Sequence, residues 1–119
     1  MLAWCVLPLI GAAGAVGRVV LQTVVQTRVA SDWPWGTLAV NVLGCLVLGV
    51  LAGADVTGEA RWLLAVGGCG ALTTYSTWAL EGWELAEEGR RDLALAYLLG
   101  SLAAGLAALG AGWAIGLVF

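Results

Sequence analysis

The stretch Gly67-Gly68-Cys69-Gly70-Ala71-Leu72-Thr73-Thr74-Tyr75-Ser76-Thr77-Trp78 holds the residue types in this chain best suited to binding something small. It lies in a charge-free run from Trp62 to Leu80, long enough to cross a bilayer. Yet Gly67, Gly68 and Gly70 each disfavour a helix by about 1 kcal/mol relative to Ala. Thr73, Thr74, Ser76 and Thr77 then place hydroxyls where lipid favours methyls. Polar or irregular backbone at membrane depth persists only where it faces protein or a water-filled path. A glycine-interrupted, hydroxyl-rich span is therefore a candidate binding site. The same pattern also describes a helix packed closely through small residues, its Ser and Thr bonded to their own carbonyls. The stretch by itself leaves both readings open.

Other polar residues stand out against the same apolar background. Asn41 is the one carboxamide in its segment, and an amide in hydrocarbon needs a partner, so it faces helices or a pore. Glu81 follows Trp78 by three residues, on roughly the same helical face. Tyr97, Ser101 and Gly105 are spaced i, i+4, i+8 and form one stripe. Arg18 interrupts the first apolar segment, with Gln22 and Gln26 following on its face. A charge there either snorkels to the interface or attracts anions into a polar vestibule.

Composition narrows the chemistry. The chain has 119 residues, 61% apolar and 11% charged, and no His or Lys. Its mean hydropathy is +0.96. A soluble domain of this size could not bury so much apolar surface, so residues 1–119 form a single integral membrane domain. The net charge of −3 says little when most of the chain is in lipid. Without His or Lys, the commonest metal ligand, general base and Schiff-base former are missing, so no enzyme is expected, and no nucleic-acid partner. Cys5, Cys45 and Cys69 lack the close spacing of a zinc or redox site and read as small buried hydrophobes. The N-terminus, apolar from the start with no basic leader, reads as a retained first helix.

These residues must be carried by four transmembrane helices with short loops, at about residues 2–27, 36–54, 61–87 and 92–117, the third broken at its glycines. Gly11, Gly14 and Gly17 give the first helix a smooth contact face, and Gly49 and Gly53 form a small-xxx-small pair in the second. Trp33 and Trp35 suit the headgroup level, and Pro34 a helix entry. The loops after helices one and three carry Arg28, Arg90 and Arg91 on one side, and the other side carries Arg61. So small a bias permits insertion in both orientations and hence an antiparallel dimer. Four helices of this size rarely enclose a pathway alone, so an oligomer is expected.

The residues Gly36-Thr37-Leu38 with Val40-Asn41 and Gly44, then Gly70 with Leu72-Thr73-Thr74-Tyr75-Ser76-Thr77-Trp78 and Glu81, then Tyr97 with Ser101, resemble the Fluc/CrcB fluoride channels. The likeness spans all four segments. It implies a four-helix subunit of the cell (plasma or inner) membrane that assembles as an antiparallel dimer and exports fluoride passively from the cytoplasm. It implies two anion paths beside the dimer axis and a structural sodium ion (Na+) on that axis, held by the backbone carbonyls of Gly70 and Thr73 from both subunits. The anion path would carry Asn41, the rings of Tyr75 and Trp78, the hydroxyls of Ser76 and Thr77, Glu81, and the Tyr97 and Ser101 stripe, with Arg18 at a vestibule. The chemistry is coherent: a dehydrated fluoride needs donors, and aromatic rings present a positive edge. A narrow path of this kind favours the smallest halide. Relatives usually carry Phe where this chain has Tyr75 and Trp78, and often Ser where it has Gly105. Some members work as pairs of unlike, paralogous subunits in which one path conducts, and this chain could be one of such a pair. A small multidrug-type proton-coupled transporter has similar length, but needs a carboxylate deep in its first helix, where this chain has only Arg18.

Overall fold

The computed structural model describes residues 2–119, and all regular structure among them is helical. Helix α1 spans Leu2–Val29 and α2 spans Trp35–Gly53 directly after Pro34. The third stretch is composite. A helix α3 over residues 58–72 starts with α-turns at Gly58–Trp62, widens into π-type turns at Leu63–Cys69, and closes with one α-turn at Gly70–Leu72. Thr73 and Thr74 are then extended (φ −80°, ψ 160° and φ −146°, ψ 123°) before α4 resumes at Tyr75–Glu87. Helix α5 spans Arg91–Gly116.

Three of these, Trp4–Val29, Trp35–Gly53 and Arg91–Gly116, are long and apolar enough to cross a membrane. Residues 58–87 occupy the place of the fourth expected helix, but no single helix there is long enough, because Thr73 and Thr74 divide it. The apolar residues that face outward, among them Val16, Val20, Leu99 and Leu106, are lipid-facing by the same logic that makes such a surface untenable in water. The interior is the reverse of a soluble core. Its most deeply buried large side chains are Tyr97, Val40 and Thr37, two of them hydroxyl-bearing.

Close packing rests on glycine rather than on apolar bulk, since lipid competes for apolar contacts as well as protein does. Gly49 and Gly53 of α2 face Gly112 and Gly116 of α5. A Cβ on Gly49 would strike the Leu109 carbonyl, and one on Gly112 the Leu46 carbonyl. On the other flank, Gly14 of α1 lies against the widened turns of α3, where a Cβ would come within 2.9 Å of the Gly68 carbonyl. The loops at one end are tied by an ion pair, Arg90 to Asp32 at 3.3 Å, so the α1–α2 and α4–α5 connections lie on the same side.

Candidate functional site

The break between α3 and α4 is held from outside by one amide. Asn41 Nδ2 donates to the Thr74 carbonyl at 3.0 Å, and the Thr74 N–H donates back to Asn41 Oδ1 at 2.8 Å. The partner that an amide in hydrocarbon requires is thus a whole backbone unit. The four carbonyls from Gly70 to Thr73 lose their helical donors at the break, Gly70 and Thr73 because theirs are diverted to side chains. In an unbroken helix the Thr74 N–H would serve Gly70, and the Thr77 N–H would serve Thr73. The first goes to Asn41, and the second goes to Thr74 Oγ1 at 3.2 Å, where Thr74 caps α4. The Thr74 hydroxyl in turn donates to Thr77 Oγ1 at 3.0 Å. Gly70 lies at the exposed surface of the chain, and the Thr73 carbonyl receives a long contact from Arg18 Nη1 at 3.4 Å. Among the described residues no group of three or more Cys, Asp and Glu could hold a metal.

A second centre forms around Glu81. Thr37 Oγ1 donates to Glu81 Oε1 and Tyr97 OH to Glu81 Oε2, each at 2.9 Å. Both donors are almost wholly buried, and Gln22 Nε2 donates to Thr37 Oγ1 at 3.0 Å, freeing the threonine proton for the carboxylate. Both carboxylate oxygens are therefore engaged by hydroxyls from two different helices. Glu81, Thr37 and Gln22 line an open, largely polar cavity of about 810 Å³.

The ring positions lie in a different place. Asn41, Gly70, Thr73, Thr74, Tyr75, Trp78 and Ser101 line an apolar cleft of about 450 Å³. Tyr75 is 78% exposed, and its ring lies 5.4 Å from that of Trp78. The Trp78 indole N–H is engaged, donating to Ser101 Oγ at 2.6 Å, while Ser101 donates to the Tyr97 carbonyl one turn back. Tyr97 therefore touches both centres, through its hydroxyl at Glu81 and its carbonyl at Ser101.

The structure thus brings Asn41, Gly70, Thr73, Tyr75, Trp78 and Ser101 to one cleft and places Glu81 in the neighbouring cavity, with Tyr97 between. Thr77 lies inside the cap, and Ser76 is exposed at the surface. Arg18 reaches the break at Thr73 and does not line the larger cavity. Sequence reasoning placed Gln22 and Gln26 on the polar face after Arg18 and counted Thr74 and Thr37 within their motifs, but did not foresee the bonds they make here. The i, i+4, i+8 stripe of Arg18, Gln22 and Gln26 was a usable signal: each of the three reaches a different part of the site.

A family model described as "CrcB-like protein, Camphor Resistance (CrcB)" matches residues 5–113. A Streptomyces avermitilis protein named "Fluoride-specific ion channel FluC 1" is 50% identical over 103 residues, covering 83% of each chain. A Rubrobacter xylanophilus protein of the same name is 49% identical over 112 residues, 87% of this chain and 89% of its own. A Haloarcula marismortui protein named "Fluoride-specific ion channel FluC 2" is 39% identical over 107 residues, 90% of each.

Proposed function

Because the chain belongs to the CrcB-like family, we propose that it is a multi-pass fluoride channel that lets the anion leave the cytoplasm passively. The observation that carries this reading is the Glu81 carboxylate, held by two buried hydroxyls that converge on it at 2.9 Å. Two donors fixed on one negative group form an anion cradle, and such charge-assisted hydrogen bonds are the strong ones. Fluoride is a small, hard acceptor that competes for the same two protons. A larger halide would shed its water without fitting donors fixed at the spacing of one carboxylate. Asn41, Ser76, Thr77 and Ser101 supply further polar groups along the path, Tyr75 and Trp78 supply ring edges, and Arg18 contributes positive potential.

The same reading includes a structural sodium ion shared by two antiparallel copies, on the carbonyls of Gly70 and Thr73. Their fit is supported by the diversion of the Thr74 and Thr77 N–H donors to Asn41 and Thr74, which leaves the Gly70 carbonyl without its helical donor and the Thr73 carbonyl with only the long 3.4 Å contact from Arg18. The deciding experiment is efflux from liposomes reconstituted with this chain alone. Fluoride efflux with chloride retained is expected, and silence toward fluoride overturns the reading for the homomeric chain. The second reading, one subunit of a heteromeric fluoride channel, is favoured by the exposed Tyr75 and by numbered names among the relatives. It predicts silence alone and fluoride flux after co-reconstitution with a paralogous subunit.

A further inference from the structure

Gln26 lies near the end of α1 and makes no hydrogen bond to Glu81, although both line the larger cavity, and its carboxamide is fully committed elsewhere. Nε2 donates to the Ser31 carbonyl at 2.7 Å and to the Trp33 carbonyl at 3.2 Å. Oε1 accepts from the Gly36 N–H at 3.1 Å. Only one orientation of the amide satisfies all three, because two partners are acceptors and one is a donor. The bonded groups are the roots of the two arms that hold Glu81. Gly36 immediately precedes Thr37, whose hydroxyl is on Oε1. Gly36 also lies so close to α1 that a Cβ there would strike the Gln22 carbonyl, so this arm has no slack of its own. Trp33 packs edge-on against Tyr97, with ring centroids 5.4 Å apart and planes at 84°, and the Tyr97 hydroxyl is on Oε2.

We propose that Gln26 is a positioning residue for the Glu81 carboxylate, setting both hydroxyl arms at once through the loop and the first turn of α2. Within the loop Trp33 is held by its own N–H on Ser31 Oγ at 3.2 Å and by the Trp35 N–H on its carbonyl at 2.8 Å, and Gln26 is what ties this turn to α1. The consequence for transport rests on the fluoride reading above, whereas the coupling between Gln26 and the two arms does not.

Two measurements on the purified, reconstituted full chain test it. The variants are Gln26→Met, which keeps length and loses every bond, and Gln26→Glu, which can still accept from Gly36 but sets an oxygen against the Ser31 and Trp33 carbonyls. In the first measurement, the fluoride concentration giving half-maximal flux should rise about tenfold in both variants, since a misplacement near 1 Å has effects of that order or larger. An unchanged concentration dependence overturns the proposal. In the second, thermal midpoints are compared in double-mutant cycles of Gln26→Met, with Gln26→Glu as a second cycle, against Tyr97→Phe and against Thr37→Val. Positioning through the carboxylate predicts that each double variant loses clearly less than the sum of its singles. Simple additivity with both arms overturns the proposal and leaves Gln26 a loop fastener. If the parent carries no fluoride, the functional reading fails, and the cycles still decide the positioning role.

Discussion

At Asn41 a polar side chain in the membrane is matched to one backbone unit, and its removal should be felt in stability before transport. Asn41→Ala leaves the N–H and C=O of Thr74 without partners, which costs about 1–3 kcal/mol for a buried group. Thermal unfolding of the purified variant should show a lowered midpoint. Asn41→Asp keeps an acceptor for the Thr74 N–H but turns an oxygen toward the Thr74 carbonyl, so fluoride flux should collapse as well. The rings behave differently. The Tyr75 hydroxyl is at an exposed position, so Tyr75→Phe should leave the midpoint within about 0.5 kcal/mol of the parent. Ser101→Ala strips the Trp78 N–H of its acceptor and should destabilise by about 1–3 kcal/mol, measured in the same unfolding assay. That Asn41 needs a partner was legible in the sequence, because any amide in hydrocarbon does. Which partner was not, since five consecutive hydroxyl-bearing residues, Thr73 to Thr77, give no order of preference among their backbone groups. The role of Thr74 follows from its extended backbone, which propensity alone does not locate to one residue.

Between elements the decisive contact is α2 against α5, made by two facing glycine pairs four residues apart. A methyl on Gly112 would meet the Leu46 carbonyl and lie 3.0 Å from the Val50 nitrogen, both backbone atoms that cannot rotate away. Gly112→Ala should therefore force the helices apart at about 1–3 kcal/mol, the usual range for overpacking. Gly100→Ala and Gly110→Ala meet nothing within 4 Å and serve as controls. Size-exclusion profiles and thermal midpoints of the three variants give the comparison, and an undisturbed Gly112→Ala would remove this interface as the organising contact. The small-xxx-small pair at Gly49 and Gly53 was readable as a packing motif, but so common a motif does not name its partner. The glycines of the third segment were readable as a weak helix. They widen α3 into π-type turns over Leu63–Cys69, and the chain then stops being helical at Thr73, three residues past the last glycine. Glycine lowers helix stability everywhere along a run, whereas the stopping point is set by where a side chain from another helix, Asn41, captures a backbone N–H. The other helix ends lie within three residues of the expected bounds, the scale on which terminal turns fray.

For the whole molecule, the surface around the break is the least complete part. Gly70 is exposed, Tyr75 is 78% exposed, and both border the 450 Å³ apolar cleft although they lie at membrane depth. A second copy of the chain seated there would cover the ring and bring a second pair of Gly70 and Thr73 carbonyls to a common axis. The loop arginines add a reason for the two copies to be inverted. The Arg90–Asp32 pair places Arg28, Arg90 and Arg91 at one end, against Arg61 at the other, an imbalance too small to fix orientation. The prediction is an antiparallel dimer whose stability responds to sodium. In a background with Cys5, Cys45 and Cys69 replaced, a single cysteine introduced at Ala71 should be joined to its counterpart by a short bifunctional thiol reagent, because an axis through the break brings position 71 near itself in either relative orientation. A single cysteine at Phe119 should not be joined, because inversion sends the two C-termini to opposite faces of the membrane. Efficient linkage at 119 would establish parallel copies instead. Exchange of sodium for a bulky organic cation should lower the thermal midpoint of the same dimer, since an ion that binds only the assembled state stabilises it by occupancy. Arg18, at 3.4 Å from the Thr73 carbonyl, sets a positive charge at that site. Arg18→Gln should therefore steepen the dependence on sodium rather than abolish it, and a midpoint indifferent to sodium in both parent and variant would remove the ion from the assembly.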